Sequence, residues 1–255
     1  MEHVEGRLSV LAALNARRRR FQVILVSYGA HEEKIQELLD TATVLGVPVR
    51  RVDPKELDDL AHGTSHGGVL AICSNRPLTT FRELNDRLDT LSEAPLLLLL
   101  EGVDDARNLG FTLRTAEAMG VHAVLIKKHL WDFDPVEVAR PSSGAYERMD
   151  LLQIEGVEPL QQLQSRGLRV WGCVAGAKKT MYDVNLAQPT ILAIGGEKRG
   201  LSGAVRAICD GRLSIPTTSA ISSLSLSHAG AIVMAEAMRQ RRATWTASSS
   251  PGVLE

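Results

Sequence analysis

Residues 96–120 read LLLLLEGVDDARNLGFTLRTAEAMG. The apolar run Leu96 to Leu100 is far too short to cross a bilayer and reads as a strand of a sheet covered on both faces. A polar turn with Gly102, Asp104, Asp105 and Asn108 follows, and Leu109 to Met119 takes up helical spacing. Loops that leave the ends of such strands line the ligand crevice of open α/β sheets. The arrangement recurs in Ile194 to Ser202 (IGGEKRGLS) and Ile215 to Ser227 (IPTTSAISSLSLS), where glycines, small hydroxyl residues and charged groups follow an apolar β-like run. These segments predict one site assembled from three loops.

Outward from this core, Ala123–Ile126, Arg169–Val174, Thr190–Ile194 and Arg212–Ile215 read as further strands. Helical patterns at Val157–Arg166, Gly203–Cys209 and Ser227–Arg242 alternate with or follow them, which predicts a mostly parallel sheet. Towards the N-terminus, Gly6–Leu14 has helical spacing, Phe21–Val26 reads as a buried strand, and Ile35, Leu38, Leu39 and Ala42 mark a helix. A strand at Val47–Val52, a short helix opened by Asp53-Pro54 and a strand at Val69–Cys73 complete a separate α/β unit. Polar sequence between Pro77 and Pro95 encloses one helix near Phe81–Leu91. The expected organisation is a small N-terminal α/β domain (1–76), a linker (77–95), a parallel-sheet α/β domain (96–242) and a disordered Ser/Thr-rich tail (243–255).

A net charge of −1 and a pI near 6.7 give no global attraction to nucleic acid, so any RNA contact has to come from local basic clusters. Cys73, Cys173 and Cys209 are isolated and odd in number, which argues against a disulfide framework or a zinc site and for a reducing cytosol. His62 and His66 flank a Gly-Thr-Ser that is a poor helix, with no third ligand near, so no metal is expected. The opening MEHVEGR lacks a charged-then-apolar signal pattern, and the expected location is cytoplasmic with no membrane contact.

The three segments resemble the signature motifs of the SpoU/TrmH branch of the SPOUT methyltransferases. Asn108, Gly110 and Arg114 match the first motif, Gly195, Glu197, Gly200 and Leu201 the second, and Ile215, Pro216, Ser223, Leu224 and Ser227 the third. EGRLSVLAAL and HGTSHGGVLAI, with Gly6, His66, Gly68 and Val69 at the aligned positions, resemble the family's N-terminal substrate-binding domain. The resemblance implies a deep trefoil knot in the C-terminal domain, S-adenosylmethionine as cofactor and methyl transfer to a ribose 2′-hydroxyl of RNA. The extra domain favours ribosomal over transfer RNA. A homodimer packed through the Leu109 helix and the C-terminal helix is implied as well. Arg114 becomes central to catalysis, with Asn108, Glu197, Ser223 and Ser225 beside it, and cofactor contacts fall to Gly195, Gly196, Ile215, Pro216, Leu224 and Ala175. Val138–Tyr146 (VARPSSGAY) resembles the family's small-residue loop, where Ser143 lines the RNA target site.

The absence of both G-x-G-x-x-G and G-x-x-x-x-G-K-[ST] suits a cofactor without phosphate, since Gly195 and Gly196 permit close backbone approach and Ile215, Pro216 and Leu224 supply apolar walls. Methyl transfer needs an in-line oxygen, a route for its proton and an anchor for the neighbouring phosphate. A guanidinium stays protonated at any ordinary pH, so phosphate anchoring and polarisation of the 2′-oxygen is the favoured role for Arg114, with deprotonation the sharper alternative. The spacing puts Asn108 at or before a helix start and Arg114 on its second turn. Ser225 stands where the family usually has asparagine, which keeps open a catalytically weak RNA-binding or assembly protein that retained the fold. Blander roles exist: Asn108 or Ser227 as helix caps, Glu197-Lys198-Arg199 as a solvated turn. Arg17, Arg18, Arg19 and Arg20 either close a solvated helix or contact RNA phosphates, a surface that Lys127-Lys128 and Arg239, Arg241 and Arg242 would extend.

Overall fold

The computed structural model describes residues 1–62, 66–127, 133–218 and 224–248, the last five by their backbone alone. The chain opens with β1 (Glu2–Glu5), α1 (Arg7–Ala16), β2 (Phe21–Ser27), α2 (Glu32–Val44), β3 (Val49–Val52), α3 (Pro54–Leu60) and β4 (Val69–Cys73). It continues through α4 (Phe81–Thr90), β5 (Leu96–Glu101), α5 (Ala106–Ala118), β6 (Ala123–Lys127), α6 (Pro135–Ser142), α7 (Ala145–Arg148) and β7 (Asp150–Ile154). After these come α8 (Glu158–Ser165), β8 (Arg169–Cys173), β9 (Lys179–Thr180), β10 (Thr190–Gly195), α9 (Gly203–Ile208), β11 (Gly211–Ser214) and α10 (Leu226–Ser248). The chain divides into two compact units, one of Met1–Pro77 with Leu109–Arg114 and Phe133–Met149, the other of the remaining chain.

In the first unit the sheet order is β1-β4-β2-β3, with β3 parallel to β2 and the other pairs antiparallel. Val10, Leu14, Ile24, Val26, Ile35, Leu38 and Val69 form its core. Asp53 accepts from the Lys55 amide at 2.9 Å and Pro54 opens the helix, so α3 starts where its cap and fixed φ dictate. Residues 138–146, expected as a loop, are largely helical. Asp134 caps α6 with Pro135 in its first turn, and Ser143 and Gly144 in the left-handed region separate it from α7. The approach of α6 to α5 explains Gly110: a Cβ there would lie 2.4 Å from the Val138 carbonyl oxygen and from Pro141 Cγ.

The second unit holds a wholly parallel sheet in the order β7-β6-β5-β10-β8-β11-β9. Leu96 to Leu100 are all 0 % exposed, as a central strand covered on both faces requires. Leu97 and Leu99 pack with Leu84 and Leu88 of α4 and Leu160 and Leu163 of α8. Thr80 and Glu83 form a reciprocal capping box that fixes the start of α4. From β5 the chain builds outward through β6 and β7, then returns to lay β10 on the other side. The order therefore reverses at β5 and β10, and ligand crevices open at the carboxyl ends of such strands. Helix α10 continues to Ser248, beyond the Arg242 end that the Ser/Thr composition suggested; residues 249–255 of the expected tail lie outside the described residues. No helix among the described residues is long and apolar enough to cross a membrane.

One basic residue expected at an RNA surface is structural. Arg19 is buried, donating from Nε and Nη2 to the two carboxylate oxygens of Glu147 at 2.8 Å each, and from Nη1 to Glu2 and the Ser74 carbonyl. Arg17, left-handed at φ 52, and Arg20 are exposed, whereas Arg18 is half-buried and reaches the Met149 carbonyl at 3.1 Å. Removing one partner of a buried, bidentate pair strands the other charge. Arg19→Met is therefore expected to lower unfolding free energy by about 3–5 kcal/mol, read from urea denaturation of the full chain.

Candidate active site

The loops after β5 and β10 meet main chain to main chain. A Cβ at Gly196 would sit 2.0 Å from the Gly102 carbonyl oxygen, and one at Gly195 would sit 2.1 Å from the carbonyl carbon of Gly200. Only glycine allows either approach. Gly200, at φ 60, donates its amide to the Gly196 carbonyl at 2.8 Å, which folds residues 196–200 into a tight turn. Glu101, buried at the end of β5, accepts from the Ser202 amide at 2.7 Å, and Lys127 Nζ lies 3.6 Å from its other oxygen. Ser202 in turn caps α9, its Oγ accepting from the Val205 amide at 3.3 Å.

Around this turn is a cavity of about 680 Å³ lined by the ends of β8, β10 and β11, the 196–201 turn and residues 224–229. Ala175, Gly195, Gly196, Glu197, Ile215 and Leu224 line it, so most of the residues expected at a cofactor site share one cavity. Pro216 is exposed and lies outside the lining, and Ser223 falls outside the described residues. Arg199, named above with Glu197 and Lys198, lines the cavity too, as does Arg206, which no sequence cue marked. Nor was Glu101 singled out, although an acid closing a run of leucines is a visible anomaly.

The residues around the start of α10 converge with two of the expected catalytic groups. Ser227 Oγ donates to Asn108 Oδ1 at 3.1 Å, and the Leu226 amide donates to Glu197 Oε1 at 3.3 Å. Asn108 lies within the first turn of α5; Asp105 caps that helix, accepting from the amides of Arg107 and Asn108 at 2.7 and 3.1 Å. Arg114 follows on α5 and is exposed. Ser225 serves the start of α10: its Oγ accepts from the His228 amide at 3.4 Å and lies 2.5 Å from His228 Nδ1. Ser143 is the left-handed residue that ends α6, its carbonyl accepting from Arg148 at 3.3 Å.

Other expected basic contacts are engaged within the fold, Lys127 and Arg241 turning inward while Arg239 stays exposed. Lys127 is buried against Glu101, with its ammonium also on the Gly156 carbonyl at 3.1 Å. Arg241 donates to the carbonyls of Ala94, Pro95, Leu186 and Gln188, and Arg239 pairs with Glu236 at 2.8 Å. Lys128 lies outside the described residues. His66 engages Asp58 at 2.8 Å and the Gly68 amide at 3.1 Å, while His62 lies 3.0 Å from both Glu5 and Asp134. Hydrogen bonding to Glu5 is the main reason the His62 imidazole is held above its ordinary pKa. Among the described residues no cluster of His, Cys, Asp or Glu could hold a metal ion.

A doubly covered parallel sheet with a cavity at the carboxyl ends of β8, β10 and β11 has the architecture of an α/β ligand-binding enzyme domain. Residues 95–235 match the SpoU rRNA Methylase family, and residues 3–78 match the RNA 2'-O ribose methyltransferase substrate binding family. The chain belongs to the SpoU rRNA methylase family. It is 35% identical to the 23S rRNA (guanosine-2'-O-)-methyltransferase RlmB of Pseudomonas aeruginosa, covering 94% of this chain and 97% of that protein. The RlmB of Vibrio vulnificus is 33% identical, with 95% and 98% covered. Among solved structures, the SpoU methyltransferase AviRb of Streptomyces viridochromogenes superposes with a TM-score of 0.79 at 26% identity, covering 95% of this chain and 90% of that one.

The Glu101 contact makes a testable claim about the cavity. Glu101→Gln leaves Lys127 buried without its counter-charge, which costs about 3 kcal/mol. Faster hydrogen exchange at the Ser202 amide, read by NMR, is expected alongside the lost stability.

Proposed function

We propose that the protein transfers the methyl group of S-adenosylmethionine to a ribose 2′-hydroxyl of ribosomal RNA. The observation that carries the reading is the convergence of the Asn108, Glu197 and Ser227 loops beside the glycine-closed cavity. Main-chain groups of Gly195 and Gly196 with the apolar Ala175, Ile215 and Leu224 suit an adenosine, and Pro216 follows directly on Ile215 outside the lining. The cofactor supplies an electrophilic methyl on a sulfonium. Everything else falls to the chain: to place a 2′-oxygen, to keep water out and to hold the adjoining phosphate.

Arg114 is assigned the phosphate and the polarisation of the 2′-oxygen, tasks that a permanently charged fork performs without losing its proton. Asn108, held by Ser227 Oγ, and Glu197, held by the Leu226 amide, orient the target side of the cavity. Ser223 and Ser143 are assigned to the substrate face. The first unit is the RNA-binding part, with Arg17 and Arg20 as its solvent-facing cations. The reading includes a domain division near residues 77–95, a deep trefoil knot in the catalytic domain, a homodimer built on α5 and α10, and action in the cytoplasm.

The second reading, a weakly catalytic RNA-binding protein, rested on Ser225. Serine and asparagine cap helices about equally well, so a serine at this position leaves the start of α10 intact. Transfer RNA remains the alternative substrate.

Arg114→Ala is expected to retain S-adenosylmethionine affinity by calorimetry while methyl transfer to ribosomal RNA falls by more than about a hundredfold. Undiminished transfer would remove Arg114 from catalysis. Mapping 2′-O-methyl groups in RNA from cells with and without the protein identifies the substrate; no missing methyl group in ribosomal RNA would end the ribosomal assignment.

A further inference from the structure

Two arginines line the cavity, Arg199 on the 196–200 turn and Arg206 on the anchored helix α9. Arg206 projects from α9 so that its Nη2 lies 3.4 Å from the point a Gly200 Cβ would occupy. Gly200 closes the 196–200 turn through its amide bond to Gly196. Helix α9 is itself fixed, since Ser202 caps it and Glu101 holds the Ser202 amide at 2.7 Å. Among the described residues no hydrogen bond or ion pair occupies the Arg206 guanidinium. A cation that lines a ligand cavity from an anchored helix, without a protein counter-ion, calls for an anion from the ligand.

Resting on the S-adenosylmethionine reading, we propose that Arg206 is the receptor for the cofactor's carboxylate. That carboxylate is the ligand's only anionic group; the sulfonium and the ammonium are cations and suit Glu197, the one acid in the cavity lining. Arginine presents paired donors to a carboxylate, so the contact fixes the amino-acid end of the cofactor as well as its charge. The adenosine end needs no such partner, because the glycine turn and apolar walls hold it. Arg206 thereby makes the site selective for adenosine thioethers that carry an amino-acid head over those that lack one.

The test uses two ligands with the same adenosine and a neutral sulfur: S-adenosylhomocysteine, which keeps the carboxylate, and methylthioadenosine, which does not. Calorimetry on the full chain compares wild type, Arg206→Gln and Arg206→Lys. Wild type is expected to prefer S-adenosylhomocysteine; in Arg206→Gln its affinity falls about tenfold or more while that for methylthioadenosine is unchanged. Arg206→Lys is expected to recover part of the loss. An equal loss for both ligands would assign Arg206 to the fold of the turn, and an unchanged preference would overturn the proposal while leaving the cofactor reading standing. Weaker RNA binding with unaltered S-adenosylhomocysteine affinity would give Arg206 to an RNA phosphate, and overturns it too. Wild type that binds neither ligand removes the cofactor reading and this inference with it.

Discussion

Backbone contact without side chains is the constraint on which the catalytic unit depends. Gly196 rests against the Gly102 carbonyl, and Gly195 rests against Gly200, at separations no Cβ survives. Because β5 and β10 are neighbours in register up to Gly195 and Glu101, the loops that follow them have to leave the sheet together. Glycine lets them do so while touching, and the 196–201 turn that results lines the cavity with the ends of β8, β10 and β11. Glu101 completes the arrangement from below. It takes the Ser202 amide and the Lys127 charge in one buried carboxylate, so the turn, α9 and β6 share a single anchor.

How much of this was legible in the sequence follows from which signals are local. The leucine run of β5 and the glycine turn after β10 carry their own periodicity and punctuation and stand where the pattern put them, whereas α5 starts at Ala106, ahead of the expected Leu109, because Asp105 caps it and takes Asn108 into its first turn. β1 escaped because EHVE is short and mostly polar, and acquires strand character only by pairing with β4. β7, DLLQI, follows a stretch whose Pro, Ser and Gly content reads as loop, so nothing announced its start. That same stretch folds as α6 and α7 because Asp134-Pro135 is a strong helix start and Pro141 comes late enough to be tolerated. The outline of the site was readable for the same reason as β5. Glu101 and Arg206 were not, because a buried anchor and a rim cation are defined by what folds over them.

Basic residues illustrate the limit most directly. A run of four arginines looks uniform in the sequence, yet Arg19 is spent on Glu147 and Glu2 while Arg17 and Arg20 face solvent. Lys127 and Arg241 likewise serve the interior, the first on a carboxylate and the second on a ring of carbonyls. Burial draws Arg241 below the usual guanidinium range, the expected cost of holding a cation among neutral acceptors. Charge counting therefore overstates the surface available to a polyanion. With a net charge of −1, attraction to RNA has to come from a few placed cations and not from a general field.

The serine at position 225 brings these strands together. Viewed as a site residue, it is an asparagine that lost its amide. Viewed in the fold, it is a hydroxyl that receives the His228 amide and meets Ser227, whose own hydroxyl reaches Asn108. A substitution that looks catalytic in one dimension can thus be absorbed by a helix cap in three, provided the cap and the neighbouring hydroxyl keep α10 and α5 in register. The bond between Ser227 and Asn108 ties the beginning of α10 to the first turn of α5, and that tie lets a serine-rich stretch near the C-terminus take part in a site opened by β5.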